Sequence, residues 1–292
     1  ATGSATGVEA GESSPPDVSD LLLPADSERR PTLSVVVPTR NEVAGISETI
    51  ESIKTAIGII GVPSEIIVSD SSTDPTPAIA RERGAIVVEP DRLGYGAAYQ
   101  RGFEAARGDF IAMGDGDTTY DFTELPTLYD RLSSTDADLV LGSRLAGDIE
   151  DGAMPILHRD VGNPLLTKFL NVCYGANVTD AHSGFRAITR DALDRLELET
   201  EGMEFASEML VEASYKDLHI AEVPIRYRRR EGDTTLNSFR DGARHLGFMV
   251  RNAPGSVFSL PGAVIALLGL LAMVGALLPV SLAPPGDEGI RL

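Results

Sequence analysis

Apolar residues along the chain fall in short blocks between polar stretches, and their spacing switches repeatedly between two periods. LSVVV (Leu33–Val37) is a continuous apolar run, the pattern of a parallel strand covered on both faces. Ile46, Ile50, Ile53 and Ile57 then recur at helical spacing and predict an amphipathic helix. Further strands are read at EIIVS (Glu65–Ser69), AIVV (Ala85–Val88), DFIAM (Asp109–Met113) and DLVLG (Asp138–Gly142), with helices at Thr76–Arg83, Gly96–Arg107 and Thr123–Ser134. The alternation predicts an α/β fold with a doubly wound, mostly parallel sheet and helices on both faces. Ligands of such sheets bind beyond the carboxyl ends of the strands. There the sequence places PTRNE (Pro38–Glu42), DSSTD (Asp70–Asp74), EPDRLGYG (Glu89–Gly96), GDGD (Gly114–Asp117) and Ser143 with Arg144.

The far end follows a different pattern. No charged side chain occurs from Asn252 to Gly286, and residues 257–283 predict a transmembrane helix; about 20 apolar residues at 1.5 Å rise cross the hydrocarbon layer. Arg240, Arg244 and Arg251 precede the span, whereas Asp287 and Glu288 follow it. The excess of arginine on one side places residues 1–251 in the cytoplasm, at the face of a cell membrane. Residues 284–292 are read as a tail, beyond which a natural chain could continue into further helices. Residues 1–31 are rich in Gly, Ser, Pro and acids, carry no secretory pattern and are expected to form a flexible acidic leader before a domain at 32–251.

Composition sharpens this picture. The net charge is -19 and lysine occurs only at Lys54, Lys168 and Lys216, which disfavours nucleic acid as a partner and suggests a halophilic source. The single cysteine, Cys173, excludes an internal disulfide and a Cys-rich zinc site and is expected in the core. His158, His182, His219 and His245 are scattered and read as local hydrogen-bonding residues rather than metal ligands.

The chemistry concentrates where DFIAM runs into GDGD. Asp115 and Asp117 are two apart, so an extended chain points both carboxylates the same way. Held together they repel unless a cation lies between them. Hard oxygen ligands suit Mg²⁺ or Mn²⁺, usually shared with substrate phosphates; a plain acidic surface loop is the other reading. No P-loop is present, and Tyr99 stands where a dinucleotide fingerprint needs its third glycine after Gly94 and Gly96. Seven arginines (Arg226, Arg228, Arg229, Arg230, Arg240, Arg244 and Arg251) gather before the apolar run, as phosphate-binding forks or as a topology signal.

VVVPTRNE, IIVSDSSTDPT, RLGYGAAYQRGFEAARGDFIAMGDGDTTYD, DLVLGSR, DAHSGFRAITRDAL, EFASEML and EVPIRYRRREGDTTLNSFRDG together resemble, in order and spacing, family 2 glycosyltransferases of the GT-A fold. The branch they resemble is that of dolichol-phosphate mannose synthase and archaeal polyprenyl-phosphate hexosyltransferases, over about Pro31 to Arg251. The resemblance implies a nucleotide pocket lined by Pro38, Arg40 and Glu42, with Asp70 on the base. It implies that Asp115 and Asp117 hold the metal and the sugar diphosphate. Arg144 and Arg186 would face phosphates or the acceptor, and Arg228, Arg229 and Arg230 would lie in a loop closing over the diphosphate. Two positions depart from the family pattern: Thr235 replaces a lysine, and Thr119 is a poorer ligand than the Gln or Asp often found there.

The implied reaction is transfer of a hexose, mannose or glucose, from a GDP or UDP sugar to a polyprenyl phosphate. A phosphate acceptor is already an oxyanion and needs no strong base. Were the acceptor a sugar hydroxyl, Glu208 is the candidate to orient it, its other reading being a helix-surface acid. A nucleotidyltransferase and a catalytically silent membrane scaffold are the remaining alternatives.

Overall fold

The computed structural model describes residues 17–230 and 238–277. The chain divides into two compact units, residues 1–252 and 253–292. In chain order the first unit contains α1 (Val18–Leu21), β1 (Leu33–Thr39), α2 (Ile46–Ile60), β2 (Ser64–Asp70), α3 (Thr76–Glu82), β3 (Ile86–Val88), α4 (Tyr95–Ala105), β4 (Phe110–Met113), α5 (Leu125–Ser134), β5 (Leu139–Ile149), α6 (Asn163–Tyr174), β6 (Arg186–Thr189), α7 (Arg190–Leu193), α8 (Phe205–Tyr215), β7 (Ile220–Tyr227) and α9 (Ser238–Arg251). The strands form a seven-stranded sheet in the order β3-β2-β1-β4-β6-β5-β7.

All five predicted strands and the four helices predicted between them are present, within a few residues of their expected ends except for β5, which continues from Gly142 to Ile149. The sheet is mixed: β1, β2, β3 and β4 pair in parallel and β5 pairs in parallel with β7, but β6 runs antiparallel between β4 and β5. The sequence pattern did not show β6 or β7. β6 is only four residues long and starts on an arginine; β7 carries Pro224, which an edge strand tolerates because half its ladder is unpaired.

Two apolar layers cover the sheet. Ile46, Ile50, Ile53 and Ile57 of α2 pack with Leu125, Leu128 and Leu132 of α5 on one face. Tyr99 and Phe103 of α4, Leu170 of α6, and Phe205 and Met209 of α8 pack on the other. Each fully buried isoleucine contributes about 1.5–3 kcal/mol through removal from water. The expectation of helices on both faces is thereby met.

The flexible-leader expectation is corrected over residues 17–31. Asp17 caps α1, accepting from Ser19 N at 3.1 Å, and Leu22 makes a parallel bridge with Ser64. Leu21 and Leu23 are buried, and the Arg107 guanidinium, paired with the buried Glu65, donates to Ser27 O at 2.9 Å and Pro24 O at 3.1 Å. The buried leucines and the Arg107 bonds together hold this stretch against the domain. Residues 1–16 of the leader lie outside the described residues.

The second unit contains α10 (Gly255–Leu277), whose Phe258, Val264, Ile265, Leu267, Leu268, Leu270, Leu271, Met273 and Val274 are exposed. Among the described residues no helix is long and apolar enough to cross a membrane. The expected span 257–283 runs past Leu277 into residues outside those described, as do the tail 284–292 and Thr235.

Candidate active site

The sheet order reverses between β1 and β4, and the crevice beyond their carboxyl ends is the topological switch point of the fold. Register places Thr39 beside Asp70 and Val36 beside Met113, so the loops after β1, β2 and β4 open at one edge. Because β7 runs in the same direction, Arg228–Arg230 emerge there too. Residues distant in sequence meet as a direct consequence of strand direction.

Asp115 and Asp117 follow β4 through a tight turn. Thr118 adopts φ +65°, a left-handed conformation that β-branched residues avoid, and its hydroxyl donates to Asp117 O at 2.6 Å. Such strain costs about 1–3 kcal/mol and persists where the surroundings enforce it. Gly116 permits the close approach: a Cβ there would lie 2.7 Å from Thr39 Cγ2.

Thr119 is not a ligand in waiting. Its backbone N–H and its hydroxyl donate to Asp117 Oδ1, at 3.2 and 2.6 Å, and so orient that acid. Asp117 Oδ2 faces Arg230, whose Nη1 donates at 2.9 Å while Nη2 binds Glu42 Oε1. Among the described residues Asp115 accepts one hydrogen bond, from the Tyr95 hydroxyl at 3.1 Å. Burial, reinforced by the neighbouring Asp117 charge, pushes the Asp115 carboxyl up to about 7. Burial likewise pushes Glu42 up to about 7, against the pull of Arg230.

Two carboxyl groups, Asp117 and Glu42, therefore share the Arg230 guanidinium, with Asp115 beside Asp117. Among the described residues the Arg230 Nε is buried without a partner, so the seat is incompletely satisfied. Among the described residues no group of three or more His, Cys, Asp or Glu side chains is arranged to hold a metal. Two carboxylates at a cleft nevertheless fit a hard divalent cation that completes its sphere with substrate phosphates and water.

Of the residues expected on the nucleotide side, Asp70 lines a neighbouring cleft. Asp70 accepts from Thr39 Oγ1 at 2.7 Å and Ser72 N at 3.0 Å. It lines a cavity of about 440 Å³ together with Thr73, Val88, Glu89 and Arg92. Asn41 takes φ +59°, which asparagine tolerates, and ties the β1 and β2 loops by donating to Ser72 Oγ at 2.7 Å and accepting from Thr73 N at 2.9 Å. Pro38 is half-buried at the end of β1, and Arg40 is exposed, with no ion pair among the described residues.

Four expectations need correction. Arg186 does not face a phosphate: it is fully buried and donates to the carbonyls of Ser183, Ala206 and Ala181 at 2.8, 2.9 and 3.0 Å. Arg144 is turned inward against Asp180 in a two-pronged bond of 2.7 and 2.9 Å, so its charge is already matched. Glu208 is neither a surface acid nor free to orient an acceptor. It is buried and accepts from Glu199 N at 3.0 Å, Thr200 N at 3.0 Å and the Thr200 hydroxyl at 2.6 Å. Arg229 points away from the acids, bonding Asp151 O and, through its N–H, Glu150 Oε2 at 3.2 Å. Arg228 pairs with Asp121, and Arg230 alone of the three reaches the aspartate pair.

The loop that Glu208 fixes explains two glycines. Glu201 O accepts from Gly96 N at 2.9 Å, capping α4, and a Cβ on Gly94 or Gly96 would lie 2.1 Å from a carbonyl oxygen of Glu201 or Thr200. The glycines serve packing, not dinucleotide phosphate. Gly96→Ala is expected to destabilise the fold by about 1–3 kcal/mol, read as a lowered urea midpoint with an unchanged slope.

The profile of Glycosyl transferase family 2 matches residues 34–197. The low-salt glycan biosynthesis hexosyltransferase of Haloferax volcanii is 58% identical over 255 residues, covering 87% of this chain and 62% of that protein. The chain thus spans less than two thirds of that relative's length. A dolichyl-phosphate hexose transferase of the same organism is 36% identical over 72% of this chain and 89% of its own. Among solved structures, glucosyl-3-phosphoglycerate synthase from Mycobacterium tuberculosis, in complex with Mn²⁺, UDP and glucosyl-3-phosphoglycerate, matches with TM-score 0.62 and 26% identity, covering 77% of this chain and 81% of that one.

Proposed function

The chain belongs to glycosyl transferase family 2, and on that premise we propose that it transfers a hexose from a nucleoside-diphosphate sugar to a polyprenyl phosphate at a membrane face. The observation that carries this reading is the strand-end aspartate pair with Arg230 against it, at the switch point of a GT-A-like sheet. The names of similar proteins support a hexose as the transferred group and a lipid phosphate as acceptor. The bound Mn²⁺ and UDP of the similar structure support the donor class.

In this reading Asp115 and Asp117 hold Mg²⁺ or Mn²⁺. The cation, when bound, stabilises the charge growing on the departing diphosphate. Arg230 supplies guanidinium donors to the same oxygens once it leaves Asp117, and Arg228 stands next to it. Pro38, Arg40, Glu42 and Asp70 enclose the nucleoside beside the cavity beyond β2 and β3. Arg229, bonded to Glu150 and Asp151, anchors the segment that carries Arg228 and Arg230. Arg144 and Arg186 position backbone around the site, as does Glu208. With that carboxylate fully engaged, a lipid phosphate, nucleophilic without a base, suits the site better than a sugar hydroxyl.

The apolar helix α10 is proposed as the start of a membrane span, with the transferase unit held at the cytoplasmic face by the preceding arginines. Sealed vesicles carrying the protein test the whole reading. Incubated with radiolabelled GDP- and UDP-hexoses and a polyprenyl phosphate, they are expected to place label in the lipid extract only when Mg²⁺ or Mn²⁺ is present. Label in the lipid fraction with EDTA in excess would remove the metal assignment, and its absence for every donor would remove the proposed reaction. CTP or ATP consumption would instead favour the nucleotidyl reading.

A further inference from the structure

Each acid of the pair has one oxygen held by a neighbouring hydroxyl: Asp117 Oδ1 by Thr119, Asp115 Oδ1 by Tyr95. Thr119 is local to its acid. Tyr95 reaches Asp115 from the first residue of α4, twenty positions upstream. The sequence pattern of RLGYG drew attention to the glycines and not to the residue between them.

We propose that Tyr95 is a positioning residue that sets the Asp115 carboxylate for the cation, and that Glu208 acts through Tyr95 by fixing the loop on which α4 begins. The proposal rests on the reading of Asp115 and Asp117 as cation ligands. Its physical basis is a continuous set of contacts. Glu208 binds Glu199 and Thr200; Gln100 Nε2 donates to Leu198 O at 3.2 Å and Thr200 O at 3.1 Å; Glu201 O caps the N-terminus of α4. That pins the first turn of α4, directly after Tyr95.

The ring itself is also fixed. Tyr95 packs edge-on against Tyr99, with centroids 5.0 Å apart, and against Phe205 at 6.5 Å, while Tyr99 and Phe205 stack at 5.6 Å. A hydroxyl on so constrained a ring offers Asp115 one direction, which freezes the carboxylate about its terminal torsion. Gly184 leaves room for the Tyr95 hydroxyl: a Cβ there would lie 2.8 Å from it, whereas Asp115 Oδ2 would be in ordinary contact at 3.4 Å. Groups of this kind, which orient a ligand without touching the metal, commonly change metal affinity by about 10–100-fold when removed.

Tyr95→Phe keeps the ring packing and deletes only the hydroxyl. Mn²⁺ binding, followed by the loss of the free-ion EPR signal in separate titrations with UDP and with GDP present, is expected to weaken about tenfold in Tyr95→Phe, with the melting temperature unchanged. Glu208→Gln is expected to weaken binding less. The double variant should bind no more weakly than Tyr95→Phe alone, because both changes act through one hydrogen bond. Wild-type Mn²⁺ affinity in Tyr95→Phe would overturn the proposal, and additive losses in the double variant would overturn the part assigned to Glu208. Asp115→Asn separates this from the reading beneath it. If that variant, or the wild type with either nucleotide, shows no difference from a protein-free control, the result supports the assay for the variant and sinks the metal assignment for the wild type.

Discussion

Asp117→Ala is expected to lower hexosyl transfer by about 10³-fold, the scale seen when one preorganised charge-stabilising group is removed from an active site. That corresponds to about 4 kcal/mol at the transition state. The side chain is buried, with one oxygen held by Thr119 and the other against Arg230. Its loss removes a proposed cation ligand and the anchor of Arg230 together. Stability should change little by comparison, because removing Asp117 also relieves its repulsion of Asp115 and Glu42, whose carboxyls it helps to push up. Asp117→Asn refines the test. It retains an acceptor for Thr119 but not the charge, so a loss nearly as large as for alanine assigns the effect to charge. An active Asp117→Ala protein, with normal melting behaviour, would contradict the role given to this residue.

The fold was readable where chemistry and periodicity agree. Each of the first five strands is an apolar run that ends in polar or glycine-rich sequence, and the acids at those ends converge because parallel strands place them on one edge. The pairing of Arg144 with Asp180 was hidden, since nothing local connects residues 36 apart in sequence. Arg186 was hidden too, since an arginine is rarely fully buried and the carbonyls that satisfy it come from residues 181, 183 and 206. Glu208 and Tyr95 could not be assigned from spacing, because the partners of Glu208 lie on a loop between β6 and α8 and the partner of Tyr95, Asp115, lies on the loop after β4, twenty positions away.

The largest effect on stability is expected at Asp180. Its carboxylate accepts from Arg144 Nε at 2.7 Å, Nη2 at 2.9 Å and the backbone N–H at 3.1 Å, and both side chains are buried. Arg144 also lies over the Tyr227 ring, 5.2 Å from its centroid, so the pair joins the ends of β5 and β7 to the loop before β6. Asp180→Ala leaves the guanidinium buried and unmatched, at a cost of about 3–5 kcal/mol. Replacing both residues with leucine should recover part of that loss, since no charge is then left without a partner. Burial alone would raise the Asp180 carboxyl, but the Arg144 charge and hydrogen bonds outweigh it and hold the group below its usual range. A carboxyl depressed in the folded state adds stability that is fully present above its unfolded pKa of about 3.9 and is lost as pH falls through the folded value. Urea midpoints of wild type and Asp180→Ala, compared at neutral pH and then at successively lower pH, should therefore converge below about pH 4. A gap that stays constant through that range would show that the charge pairing is not what the alanine removes.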